Sequence, residues 1–213
     1  MVLQRRDLND VGARSGRTTL DVGIDLDGCV YPFVEVLREW ICRDTGRSPE
    51  TLPIPERWGF EAEWGFSLDE FHAHVARSVG SGVMFWQGGP IAGAIEALRQ
   101  IAEAGHRIHI VTARFVNISN SKAGEALVAE ATRSWLQHHN VPYTSLIFSD
   151  DKMSVATDIF IDDSPDNYAA LELAGANPWF FDCPWNASLQ GQRVHTWAQF
   201  VTVVAGLAGA VAR

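Results

Sequence analysis

Cysteine is scarce in this sequence: 213 residues hold three, Cys29, Cys42 and Cys183, odd in number and far apart. That pattern argues against a disulfide framework and against a thiolate zinc site, and predicts reduced, mostly buried thiols in a cytoplasmic protein. Cys29 is read as a small buried residue. Long apolar runs are missing as well. The stretch at 200–211 is too short to span a bilayer and contains Gly206 and Gly209, so a terminal core helix is expected and no membrane association. The N-terminus carries Arg5, Arg6, Arg14 and Arg17 without an apolar segment, and Asp7 and Asp10 spoil a transit-peptide pattern, so residues 1–17 are expected to form a flexible tail. Positive charge is in deficit, 17 Lys and Arg against 26 Asp and Glu, for a formal net charge of −9. Such a surface disfavours polynucleotides and anionic membranes. A small phosphate substrate remains open to it, because a bound cation reverses the field locally. Internal repeats and low-complexity tracts are absent.

What is present reads as one α/β domain with a sizeable core and a small insertion: 46% of residues are hydrophobic and 20% charged. The apolar run at 20–24 predicts a buried strand ended by the turn residue Gly28. Helical spacing follows at 33–41. Residues 46–66, rich in Gly, Pro and Trp, predict irregular connection, and Ser67-Leu68-Asp69-Glu70 is a capping box that opens a helix to about residue 78. A helix is expected at 92–104 after Pro90, then a strand at 107–112 and a long helix at 122–139. Strands at 146–148 and 159–161 bracket a short helix at 153–156. A helix at 165–174 leads to a last strand at 179–181. Strands alternating with helices imply a parallel sheet, whose ligands gather beyond the carboxyl ends of the strands.

Four chemically loaded loops fall at those ends. Asp25-Leu26-Asp27-Gly28 places two carboxylates two residues apart, suited to a divalent cation and to covalent phosphoryl transfer. Asp25 is assigned as nucleophile and metal ligand, and Asp27 as general acid/base whose backbone carbonyl is available to the metal. Taken alone the run also suits an ordinary turn or a calcium loop. Thr112, with Ala113 and Arg114 behind it, offers a hydroxyl, backbone amides and a guanidinium to phosphate oxygens. Lys152, in Ser149-Asp150-Asp151-Lys152-Met153, is placed to pair with Asp25 and to neutralise phosphate charge. Adjacent Asp162 and Asp163 complete an oxygen-rich site suited to Mg²⁺, one as ligand and the other orienting water or the lysine. Asp166 and Asn167 are read as shaping the turn and helix start.

In combination, Asp25/Asp27, Thr112, Lys152 and Asp162/Asp163 resemble the four motifs of the haloacid dehalogenase superfamily of phosphohydrolases. The resemblance implies a Rossmann-like three-layer core, an aspartyl-phosphate intermediate and Mg²⁺. Within that superfamily the chain looks like the 5′(3′)-deoxyribonucleotidase group. That match is carried by Asp25-Leu26-Asp27-Gly28-Cys29-Val30-Tyr31-Pro32-Phe33, the helical insert ending Gly89-Pro90-Ile91-Ala92-Gly93-Ala94, the run from Phe160 through Ser164-Pro165-Asp166-Asn167, and Phe181-Asp182-Cys183-Pro184-Trp185-Asn186. Thr112-Ala113-Arg114 departs from the Thr-Ser more frequent in the animal enzymes, which bears on base and sugar preference.

The expected organisation is therefore a core of residues 18–32 and 88–213, with a small helical cap, 33–87, inserted after the first strand. The cap is aromatic, and Phe33 and Trp86 are singled out as substrate contacts because ring faces stack on nucleobases, while most of the other rings are expected to fill the cap's own core. His72 and His74 are read as surface residues. The expected activity is a Mg²⁺-dependent phosphomonoesterase acting on nucleoside monophosphates, deoxyribonucleotides first. The alternatives are another small phosphate ester, a polynucleotide end, or a non-catalytic nucleotide-binding module. A homodimer is left open.

Overall fold

The computed structural model describes residues 19–114 and 122–211; the tail expected over 1–17 lies outside them. Six parallel strands, β1 (Asp21–Ile24), β2 (Arg107–Thr112), β3 (Ser145–Phe148), β4 (Ile159–Asp162), β5 (Pro178–Phe181) and β6 (Arg193–Val194), form one sheet in the order β3-β2-β1-β4-β5-β6. Between and after them run α1 (Phe33–Thr45), α2 (Leu68–Gly80), α3 (Ala94–Glu103), α4 (Lys122–His138), α5 (Pro165–Leu173) and α6 (Trp197–Val211).

Side-chain alternation along the strands creates two apolar faces. Val22, Ile24, Ile108, Ile110, Ile159 and Ile161 join the large core with α3, α4 and α6. Val111 and Phe160 point the other way and meet Leu171 of α5 in a smaller cluster. The result is helix, sheet, helix: the expected three layers. Gly23 faces the second side, where the Phe160 ring lies so close that a β-carbon would sit 2.2 Å from it. At the amino ends of the strands, Asp21 accepts from Arg107 at 2.5 and 2.6 Å and contacts His109 Nε2 at 2.9 Å, while His109 Nδ1 meets Ser145 at 2.8 Å. One polar cluster thereby pins β1, β2 and β3 in register.

Several boundaries differ from the sequence reading. α3 begins at Ala94 because Gly93, at φ 81°, takes the left-handed conformation and serves as its N-cap. The short helix read at 153–156 is a single 3₁₀ turn, Lys152–Ser154, capped by Asp151 accepting from the Met153 amide. The strand at 179–181 is not the last: β6 follows it, two residues long and too brief to carry a period. The capping box appears as expected, with Ser67 and Glu70 satisfying each other's backbone amides.

Between β1 and α3 the chain builds α1 and α2 and packs rings among themselves. Phe60 lies 5.0 Å from Trp64 and 5.6 Å from Phe71 by ring centroid. His74, read as a surface residue, is instead buried on α2, 4.6 Å from the Phe66 ring and edge-on to Trp40. Its Nδ1 accepts from Arg77 at 2.7 Å, since a guanidinium offers only donors.

Candidate active site

The four loaded loops sit on four adjacent strands, β3, β2, β1 and β4, all at their carboxyl ends. The chain moves outward from β1 to β2 and β3, then crosses to β4 on the other side of β1. That reversal is the topological switch point at which open α/β sheets bind ligands. Asp25 is held there by its amide donating to the Ile161 carbonyl of β4 at 2.9 Å.

Lys152 connects the loops. Its ammonium is buried, donates to Asp25 Oδ1 and to the Val111 carbonyl at 2.8 Å, and lies 3.8 Å from Asp162 Oδ2. Burial works against its charge, but Asp25, Asp162 and Asp163 outweigh it and hold the ammonium protonated above the ordinary lysine range. Burial, with Asp162 and Asp27 nearby, pushes Asp25 up to about 7, against the pull of Lys152. Asp163 is driven well above the ordinary carboxylate range by burial first, then by Asp25 and Asp162.

The two neighbouring carboxylates at the end of β4 are held differently. Asp162 is fully enclosed: Oδ1 accepts from the Ser164 amide at 2.9 Å, and the Asn167 side chain donates to both oxygens at 3.1 and 3.0 Å. Asp163 points the other way, with Oδ2 accepting from the Trp185 indole at 3.1 Å. Asn186, also fully buried, donates to the Asp163 and Phe181 carbonyls, both at 2.9 Å. Ligand atoms of Asp25, Asp163 and Cys29 lie within 4.8 Å of one another, the one such group among the described residues. Gly28, at φ 78°, arches over this group, and a β-carbon on it would come within 2.1 Å of Asp163 Oδ2.

These residues fit a hard divalent cation. Four carboxylates, Asp25, Asp27, Asp162 and Asp163, meet two cationic side chains, Lys152 and Arg114; burial first, and then repulsion among the carboxylates, pushes Asp25 and Asp163 upward. A cation between them would reverse that repulsion. The Cys29 thiol is pushed up by burial and the same carboxylates, so it stays a neutral thiol and the usable donors are oxygen.

The remaining sequence-read residues divide. Thr112 is completely buried, and its hydroxyl finds no hydrogen-bond partner among the described residues, an open position of the kind a bound oxyanion satisfies. Arg114 does not extend toward an incoming phosphate. It is buried and forks onto Asp27, Nη2 to Oδ1 at 2.7 Å and Nε to Oδ2 at 3.0 Å. Phe33, Ala113 and Arg114 line a cleft of about 600 Å³ floored by Asp25, Asp27, Lys152 and Asp163. Trp86 does not line it; its neighbour Phe85, at φ 64°, does. Trp58, Phe60 and Phe71 complete the wall from the inserted segment, with Trp185 beside Phe60 at 6.4 Å by ring centroid. Trp58 Nε1 donates to Asp166 Oδ2 at 3.1 Å across the mouth. Sequence reasoning gave Trp185, Asn186 and Phe85 no role. The first two lay within a quoted stretch, but their partners are remote in the chain.

The architecture recurs among solved hydrolases. A phosphonoacetaldehyde hydrolase like protein from Oleispira antarctica aligns over 100% of this chain and 99% of its own, with a TM-score of 0.57 at 10% identity. A haloacid dehalogenase superfamily hydrolase from Geobacter sulfurreducens covers 89% of this chain and 98% of its own, with a TM-score of 0.52 at 13% identity. These likenesses show the fold, the Rossmann-like α/β architecture of haloacid dehalogenase hydrolases. A family model described as "5' nucleotidase, deoxy (Pyrimidine), cytosolic type C protein" matches residues 18–208. A candidate 5′(3′)-deoxyribonucleotidase of Chlorobaculum tepidum is 31% identical over 183 residues, 85% of this chain and 88% of its own. Another, from Bordetella pertussis, is 24% identical over 197 residues, 86% and 94% respectively. The chain belongs to the cytosolic type C 5′-nucleotidase family.

Proposed function

We propose that the chain hydrolyses nucleoside monophosphates, deoxyribonucleotides first, through an aspartyl-phosphate on Asp25 and with Mg²⁺ as cofactor. The observation that carries this reading is the grouping of Asp25, Lys152 and Asp163 at the floor of a cleft whose walls are aromatic. In the first half-reaction an Asp25 oxygen attacks phosphorus as the ester P–O bond breaks. The electron pair stays with the departing nucleoside oxygen, which takes a proton from Asp27. In the second, Asp27 removes a proton from water, water oxygen bonds to phosphorus, and the Asp25–phosphorus bond breaks to release inorganic phosphate. Lys152 and the unsatisfied Thr112 hydroxyl hold charge on the phosphoryl oxygens.

Asp25 and Asp163, with the Asp27 carbonyl, would hold Mg²⁺, which when bound supplies positive charge beside the transferring phosphoryl group. Asp162 is then the positioning carboxylate, occupied with Asn167, Ser164 and Lys152. Residues 33–87 act as a cap over the leaving group, with Phe33 and Phe85 facing the base in place of the expected Phe33 and Trp86. Among the described residues no helix is long and apolar enough to cross a membrane.

The test is phosphate release from a panel of deoxy- and ribonucleoside 5′- and 3′-monophosphates, sugar phosphates and a 3′-phosphorylated oligonucleotide, with Mg²⁺ and with EDTA. Metal-dependent turnover concentrated on mononucleotides, and lost in Asp25→Asn, is the expected result. Turnover confined to other esters would remove the nucleotide assignment. Binding of nucleotides without turnover of any ester would overturn the catalytic one.

A further inference from the structure

Among the described residues Arg114 is the one guanidinium that lines the cleft, and its surroundings leave it no freedom to follow a substrate. Its side chain has no exposed surface, whereas that of Asp27 retains 25%. Nε reaches Asp27 Oδ1 at 3.2 Å and Oδ2 at 3.0 Å, Nη2 reaches Oδ1 at 2.7 Å, and Nη1 donates to the Thr132 hydroxyl at 3.0 Å. Thr132 in turn donates to the Val128 carbonyl of α4 at 2.8 Å, so the guanidinium is anchored to the core. Two rings pack against it: the Phe85 centroid lies 4.1 Å and the Tyr31 centroid 4.6 Å from the guanidinium carbon, and the two rings stand 6.0 Å from each other.

The clamp is itself built under constraint. Phe85 adopts φ 64°, a strained left-handed conformation that a bulky side chain rarely takes. Its amide is held there by donating to the Tyr31 hydroxyl at 3.0 Å. Strain of this kind persists where neighbouring contacts over-determine it. Here the contacts are a hydroxyl that captures the backbone and a cation that captures the ring.

We infer that Arg114 is a positioning residue for Asp27. It fixes the carboxylate that passes a proton to the leaving oxygen, and Phe85, on the segment returning from the cap, holds Arg114 in place. Among the described residues Asp27 Oδ1 takes two donors and Oδ2 one, which leaves Oδ2 the oxygen with capacity for the transferred proton. Because a guanidinium forks onto a carboxylate in one plane, it sets rotation as well as distance, which an ammonium at the same position does not. The segment carrying Phe85 also lines the substrate cleft, so the seating of the leaving group and the orientation of its proton donor share one support.

This inference rests on the phosphomonoesterase reading, and its test separates the two. First-turnover rates are measured for wild type, Arg114→Met and Thr132→Val, each verified as folded by a cooperative melt. The substrates are a nucleoside monophosphate, whose alkoxide must be protonated to leave, and para-nitrophenyl phosphate, whose leaving group departs unprotonated. The loss in Arg114→Met is expected to be about 100-fold greater for the nucleotide than for the aryl ester, the size of a lost general-acid contribution. Thr132→Val, which removes only the anchor, should give the same asymmetry at about tenfold or less. In an Asp25→Asn background, nucleotide Kd by calorimetry should change by less than about threefold on adding Arg114→Met, because Arg114 does not hold the phosphate. Equal losses on both esters in the folded variants, or a Kd weakened as much as turnover, would overturn the positioning role. A wild-type enzyme that turned over neither ester would instead overturn the phosphomonoesterase reading.

Discussion

Asn167 donates its side-chain amide to both carboxylate oxygens of Asp162, at 3.1 and 3.0 Å, from the first turn of α5. Asp162 never faces solvent, and its remaining approach is to Lys152. The amide therefore decides how much of the Asp162 charge is left to pull on the lysine that pairs with Asp25.

Replacing Asn167 with alanine should leave Asp162 short of donors and draw Lys152 away from Asp25. Removing a supporting partner of this kind lowers activity by about 10–100-fold. Steady-state kcat with the metal saturating is the measurement. A kcat within a factor of two of wild type would dissociate Asn167 from the site.

Gly28→Ala should impair the cation site more than the fold. An L side chain at φ 78° costs about 1–3 kcal/mol, and the added carbon meets Asp163 Oδ2 at 2.1 Å. Calorimetric titration of the metal alone should show weakened affinity in a protein that still melts cooperatively. Unchanged affinity would mean that Asp163 is not a ligand.

Phe33→Ala should raise KM for nucleotides by about tenfold while altering that for a small aliphatic phosphate much less, since a base–ring stack contributes about 1–3 kcal/mol. Phe33 lies 6.4 Å from Phe85 by ring centroid and forms one side of the cleft. Equal changes in KM for both substrates would remove Phe33 from base recognition.

His74 supplies a pH test of the inserted segment. Burial first, then the Arg77 guanidinium beside it, lowers its affinity for protons from the ordinary value of 6.5. Above 6.5 the ring is neutral in both folded and unfolded chains, and stability is full. As pH falls below 6.5 the unfolded chain gains the proton first, and stability declines until the folded His74 also protonates. Thermal melts between about pH 7.5 and pH 5 should show a steeper fall for wild type than for His74→Gln. Parallel slopes would contradict the assignment.

Strand ends and motif positions were legible because they depend on local pattern. Six residues at 107–112 form β2 as read, and Lys152 reaches Asp25 as its motif implied. What stayed hidden depends on pairings that no local pattern encodes. Arg114 and Asp27 are separated by 87 positions, and Trp185 and Asp163 by 22. A guanidinium after a strand-end threonine has the same sequence signature whether it meets a phosphate or a carboxylate. Phe85 rather than Trp86 lines the cleft, at a left-handed backbone angle that the sequence pattern does not announce, and His74 is buried because Phe66 and Trp40 close over it.

Each of the four adjacent strands β3, β2, β1 and β4 contributes one corner of the site, so turnover also acts as a gauge of how the strands are aligned. Adjacent residues in a strand are about 3.3 Å apart, and a shift of one position reverses the direction of every side chain. A partly denatured chain in which β1 slid against β4 would keep its helices and most of its apolar burial, and far-ultraviolet dichroism would scarcely register the change. Asp25 and Asp163 would no longer face each other, and catalysis would fall silent first. The Asp21 cluster, at the opposite edge of the sheet from all the chemistry, thereby guards activity at a distance by holding β1 against β2 and β3.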